Sequence, residues 1–154
     1  MLSDIQELSP QKFQAVATAH HDVLGEKLLE LNEQLNADYL FLAAIDESSD
    51  QAHAVVTVVE DKLRDNFSYA LAHSPCEHVY QTGVCIYPKG VAEASPKDAV
   101  LQEMRIEGYV GSTIHNLHHE PIGILVALFK HPITLSGPLK AMFDMTAGNM
   151  GTFF

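Results

Sequence analysis

Two cysteines, Cys76 and Cys85, are the residues of this 154-residue chain best suited to covalent chemistry. Cys76 falls within Ser74-Pro75-Cys76-Glu77, which has the form of a helix capping box with proline at the first helical position. Gly83 follows as a stop, so a short helix is expected over 75–82. The second position of a helix sets a thiol beside unpaired backbone amides, which lowers its pKa and favours the thiolate. A reactive or ligand-attaching cysteine suits that place, and so does a small thiol that only packs against a sheet. No CxxC spacing and no secretory start accompany the pair, so both thiols are expected to be reduced.

Histidine is the next candidate. His115, His118, His119 and His131 gather near the end of the chain, and imidazoles there would accept zinc or nickel. No carboxylate or cysteine completes an obvious set, and His118-His119 sits in a polar stretch typical of a turn, so no metal is assigned. His20-His21 reads as surface or interface. Arg64, Asn66, Phe67, Tyr69, Tyr80, Tyr87 and Tyr109 bring a cation and an amide among aromatics, a mixture that holds a planar or anionic ligand. The other reading is that the aromatics fill a core and Arg64 lies on the surface.

Composition narrows the partners. Hydrophobic residues make up 47% and charged residues 19%, ordinary for a single globular domain of this length. Nine Lys and Arg stand against 20 Asp and Glu, a net charge of -11 with the basic residues scattered singly, so phosphate backbones and anionic lipid are poor partners. Met1-Leu2-Ser3-Asp4-Ile5 lacks the basic start of a secretory signal, and no stretch approaches the roughly 20 apolar residues of a membrane span, so a cytoplasmic protein is expected.

The elements that must position these residues follow from periodicity. Phe13, Val16, Val23, Leu24, Leu28, Leu31 and Leu35 recur at helical steps, predicting one helix over about 10–36 with Ser9 as cap and Pro10 in its first turn. Tyr39 to Ile45 is a short apolar run read as a strand covered on both faces, and Ala52 to Glu60, rich in valine, returns as its hairpin partner. Val84 to Tyr87 is a short strand ended by Pro88. Ser95-Pro96-Lys97-Asp98 opens a second short helix through Leu101 and Met104. Tyr109 to Ile114 and Ile122 to Phe129 form another hairpin, and Ser136-Gly137-Pro138 starts a last helix carrying Leu139, Met142, Phe143, Met150 and Phe153. That helix reaches Phe154 without a cap and with two aromatics expected to be exposed, which reads as an element cut short in a sensory portion of something longer. The order describes an α+β domain built on antiparallel hairpins.

Phe67-Ser68-Tyr69-Ala70-Leu71, Ser74-Pro75-Cys76-Glu77-His78-Val79, Gly83, Asp98, Leu101, Glu107-Gly108-Tyr109-Val110-Gly111 and Pro121-Ile122-Gly123 resemble, in order and spacing, the GAF domains of bacterial sensor proteins. The similarity runs from about Leu24 to the end of the chain. It implies a central antiparallel sheet of five or six strands, with the first and last helices on one face and the short helices enclosing a pocket on the other. Arg64, Asn66, Phe67, Tyr69, Cys76, Tyr80, Tyr87 and Tyr109 would line that pocket. It further implies a non-enzymatic domain binding an unidentified small molecule, placed upstream of a histidine kinase, diguanylate cyclase or transcriptional activator. A homodimer through the terminal helices, around Leu24, Leu28, Leu31, Met142 and Phe143, is expected.

Two ligand signatures of such domains are missing: the cyclic-nucleotide set of Asn, Lys, Phe, Asp and Glu, and the Cys-His pair that attaches bilin, since Glu77 follows Cys76. Haem would need an internal histidine such as His78. The cofactor therefore stays unknown. Some GAF proteins reduce free methionine sulfoxide by thiol–disulfide exchange, and Cys76 with Cys85 departs from their cysteine pattern. That reductase, and a ligand-free dimerisation module, are the alternatives.

Overall fold

The computed structural model describes residues 10–46, 50–70, 84–94, 96 and 98–154. Helix α1 spans Pro10–Ala19 and α2 spans His21–Leu35, so the single helix expected here is two, hinged at His20. The break falls in His20-His21-Asp22-Val23, four weak helix formers in succession. It lets Phe13 and Ala17 on α1, and Leu24, Leu28 and Leu31 on α2, all lie buried against one twisted sheet. α2 ends where Asn36 turns left-handed (φ 54°) and donates its N–H to the Asn32 carbonyl.

Strands β1 (Tyr39–Asp46) and β2 (Gln51–Val59) form the first hairpin. β3 (Lys62–Arg64) and β4 (Ser68–Ala70) follow, then β5 (Val84–Tyr87), α3 (Val91–Ala94), α4 (Ala99–Met104), β6 (Gly108–His115), β7 (Pro121–Phe129) and α5 (Gly137–Gly151). Among the described residues the sheet has seven strands, all pairs antiparallel, in the order β3-β2-β1-β7-β6-β5, with β4 also on β2. It is six positions wide, as expected, but its outermost position is shared end to end by β3 and β4. Asn66 explains the interruption: its side-chain Nδ2 donates to the Val55 carbonyl at 3.0 Å, and its Oδ1 accepts from the Thr57 hydroxyl at 3.2 Å. A side chain thereby takes the place of backbone ladder bonds to β2.

Two local expectations change and one helix is added. The cap of α4 is Asp98, whose carboxylate accepts from Leu101 N–H at 3.2 Å, so the helix opens after the Ser95-Pro96 signal. α3 arises from Gly90 (φ 70°), whose N–H is held by the Glu107 carboxylate at 3.0 Å. α5 starts as expected, with Ser136 Oγ accepting from Leu139 N–H, but its far end is not bare. Phe154 stacks on Phe13, and both Phe153 and Phe154 are half-buried. The short helix expected at 75–82 lies outside the described residues.

Alternation sorts the sheet into two cores. Leu40, Leu42, Val56, Val58 and Leu125 face α1, α2 and α5. Phe41, Ala43, Ile124, Val126 and Leu128 face the other way, with Val91 of α3 and Leu101 of α4. Among the described residues no helix is long and apolar enough to cross a membrane.

Candidate ligand face of the sheet

Strand register lays the second face out in rows. Val59, Tyr39, Leu128, Tyr109 and Tyr87 form one row across five strands. Thr57, Phe41, Val126, Gly111 and Cys85 form the next, and Ala54, Ala43, Ile124 and Thr113 the third. Small residues, Ala43, Ala54 and Gly111, are buried in this face among the aromatic rings. On one side Phe41 meets Phe67 edge-on at 5.1 Å between centroids and Tyr69 at 5.9 Å. On the other, Tyr87 meets Tyr109 edge-on at 6.0 Å. Such edge contacts fix the planes of the rings.

The polar handle on this face is Cys85 with Tyr87. Their side chains are hydrogen-bonded, and partial burial pushes the Cys85 thiol above its ordinary value, with the Tyr87 hydrogen bond opposing it. Burial, then the neighbouring thiol, push the Tyr87 hydroxyl up as well. Both groups keep their protons at neutral pH, and the Tyr87 hydroxyl is engaged with the Cys85 sulfur. Lys130 Nζ stands 5.6 Å from the Tyr39 ring centroid, so a cation flanks the first row at the rim.

The residues assigned from sequence divide accordingly. Phe67, Tyr69, Tyr87 and Tyr109 are brought to this one face. Arg64 is exposed on β3 opposite Thr57, at the outer end of the second row, and Asn66 braces β2 while accepting from the Thr57 hydroxyl of that row. Cys76 and Tyr80 lie outside the described residues. Tyr39, Phe41 and Cys85 belong to the face and were hidden by the nearly continuous apolar runs of β1 and β5; the odd-numbered placement of Tyr39 and Phe41 is the signal that marks them.

The interface residues are corrected. Leu24, Leu28, Leu31 and Phe143 are at most 2% exposed within the chain's own core, leaving no surface for a second copy, whereas Met142 is 37% exposed. Met142 borders an open groove of about 410 Å³ between α2 and α5, with Lys27, Gln34 and Asn149 among its walls. Among the described residues no three His, Cys, Asp or Glu side chains converge as metal ligands. His118 and His119 lie in a turn organised by Asn116, whose Oδ1 accepts from His118 N–H at 2.9 Å and Glu120 N–H at 3.1 Å.

No family model matches the sequence, and no curated protein matches it either. Solved structures do. The GAF domain of an Acinetobacter phosphoenolpyruvate-protein phosphotransferase superposes with a TM-score of 0.62 at 13% identity, over 85% of this chain and 78% of that one. The chain has a GAF-type fold. A far-red cyanobacteriochrome photoreceptor shares this fold at TM-score 0.63 and 12% identity, covering 97% and 92% of the two chains. A type II free methionine-R-sulfoxide reductase from Thermoplasma acidophilum shares it at 0.71 and 13%, covering 90% and 94%. At these identities the likeness is one of GAF architecture: terminal helices behind the sheet, short helices in front.

Proposed function

We propose that this GAF-fold chain is a cytoplasmic sensory domain that holds a small flat ligand against the aromatic rows and signals through the packing of its terminal helices. The observation that carries this reading is the back-to-back arrangement of the sheet, with aromatic rows on one face and α1, α2 and α5 on the other. β1 and β7 supply side chains to both cores, so a ligand that favours one arrangement in front biases the helices behind. The output is a following domain such as a histidine kinase or diguanylate cyclase. The net charge of -11 disfavours nucleic acid as a partner.

The domain acts as a homodimer through the outer face of α5. That fifteen-residue helix carries only Lys140 and Asp144 as charges, and Met145 is 67% exposed beside Met142. Light scattering of wild type and Met145→Glu tests the surface: the wild type is a dimer and the variant a monomer. For the ligand, a thermal-shift screen of metabolites is the test, since a ligand at 100 times its Kd adds about 2.7 kcal/mol to stability. A screen without a hit at millimolar concentrations counts against the reading.

A second reading is favoured by Cys85 on the same face and by the reductase among the fold neighbours. A raised thiol pKa makes Cys85 a slow attacking group. Turnover of free methionine sulfoxide with a thioredoxin system, lost in Cys85→Ser or Cys76→Ser, would establish the reductase; inertness of the wild type removes it.

A further inference from the structure

We infer that Ser68 is a nucleophilic serine, activated by His53 beside the carboxylate of Asp46, at a second site where β2 and β4 meet on the helix-covered side of the sheet. Register assembles the three residues. His53 lies opposite Ser68 on one side and opposite Ala44 on the other, while Asp46 stands two residues from Ala44 on β1. Ala44 faces α1, so His53, Ser68 and Asp46 share that face.

The pairing also sets their distances. Ala54 N–H donates to the Phe67 carbonyl at 2.8 Å, which makes that pair a hydrogen-bonded one. The adjacent His53–Ser68 pair is then of the non-bonded kind, in which facing side chains stand closest. Ser68 Oγ lies 2.7 Å from His53 Nδ1. On the far side of the ring, His53 Nε2 lies 3.8 Å from Asp46 Oδ2. That separation is longer than a hydrogen bond, so Asp46 acts on the ring through its charge; in the tautomer protonated on Nε2 the Nδ1 lone pair receives the serine proton. The two ring nitrogens serve in the reverse order from the best-known serine triads, with the same division of roles. The same pairing turns Ser68 N–H away from β2, so the ladder with β2 does not engage this oxyanion-type donor.

Access is built in. Ser68 is exposed, and the His53 and Asp46 side chains are 24% and 16% exposed. A groove of about 260 Å³ runs beside His53 and Ser68, walled by Gln14 and Thr18 of α1 and by Ala54, Val55, Asn66 and Phe67. That volume suits a short acyl group better than a drug-sized ligand. With an activated ester as co-reactant, Ser68 Oγ bonds to the acyl carbon while its proton passes to His53 Nδ1. The ester C–O bond breaks and the leaving alcohol takes that proton. Water then repeats the sequence to release the acid and restore the serine.

A fluorophosphonate probe tests the inference: Oγ–P forms, P–F breaks, fluoride leaves and His53 takes the proton. Peptide mapping after labelling is expected to place the adduct on Ser68 in wild type and to find none there in Ser68→Ala. His53→Gln should slow labelling by about a hundredfold, the usual contribution of a general base, and Asp46→Asn by severalfold. A wild-type protein without an adduct on Ser68 overturns the inference, and so does His53→Gln labelled at the wild-type rate. The wild-type map is read without any variant, so it decides even where a variant fails to fold.

Discussion

Phe154 lies face to face with Phe13, ring centroids 4.2 Å apart and planes within 2°. Phe13 is fully buried and sits over Gly123 of β7, where an added Cβ would come 2.8 Å from its ring. The last residue of the chain is thereby joined through two rings to the strand that carries Ile124 and Val126 on the candidate ligand face. Phe13→Ala should cost about 3–5 kcal/mol, as buried aromatic truncations do. Phe154→Ala should cost about 1–2 kcal/mol, and a double-mutant cycle in urea should return a coupling of about 0.5–1.5 kcal/mol.

Two glycines should respond in opposite directions. A Cβ at Gly123 meets the Ala43 carbonyl oxygen at 2.5 Å as well as Phe13, so Gly123→Ala should destabilise by about 1–3 kcal/mol. Gly148, in the exposed part of α5, has nothing within 4 Å of such a Cβ. Gly148→Ala should stabilise by about 0.5–1 kcal/mol through helix propensity. Thermal unfolding of the two variants checks both signs.

Asn32 on α2 is 1% exposed and holds three groups: its Oδ1 accepts from Ala37 N–H at 2.9 Å, and its Nδ2 donates to the Ala37 carbonyl at 3.3 Å and to Asp61 at 2.8 Å. Asn32→Leu leaves a buried N–H and carbonyl without these partners and should cost about 2–4 kcal/mol in urea unfolding.

Cys85 and Tyr87 predict an alkaline loss of stability. The Cys85 thiol is pushed above 9.0 and the Tyr87 hydroxyl above 10.0, so the folded chain holds these protons to higher pH than the unfolded chain. Their contribution is therefore fully present below the ordinary values and is lost as pH rises past them, from about pH 9 upward. The unfolding free energy should decline there, and less steeply in Cys85→Ala/Tyr87→Phe. Alkylation of Cys85, followed by peptide mapping, should be slower still in Tyr87→Phe, because the hydroxyl that favours the thiolate is gone.

Elements whose local chemistry agrees with the tertiary structure are legible in the amino-acid order. α5 begins at the Ser136-Gly137-Pro138 signal, and both long hairpins follow their apolar runs. β3 was not legible, because the turn before it uses Glu60 and Asp61 at φ 53° and 64° where asparagine and glycine are usual. Asn32, twenty-nine positions from Asp61, holds that turn, and no local pattern contains such a bond. The hinge at His20 falls among weak helix formers, a local signal that the apolar periodicity running through it conceals. At the candidate ligand face, the aromatics of β4, β5 and β6 were found by type. Phe41 was not, since a strand buried on both faces does not disclose which side each residue takes. Leu24, Leu28, Leu31 and Phe143 show the converse: an apolar helical stripe marks a buried face without saying whether sheet or second copy buries it.

Chemical-shift mapping with whichever metabolite raises the melting temperature tests the ligand face most directly. Perturbations are predicted to centre on Phe41, Tyr87, Tyr109 and Cys85, with weaker ones reaching Phe13 and Phe154 through β7. Perturbations confined to Lys27, Gln34, Met142 and Asn149, in the groove between α2 and α5, would contradict it.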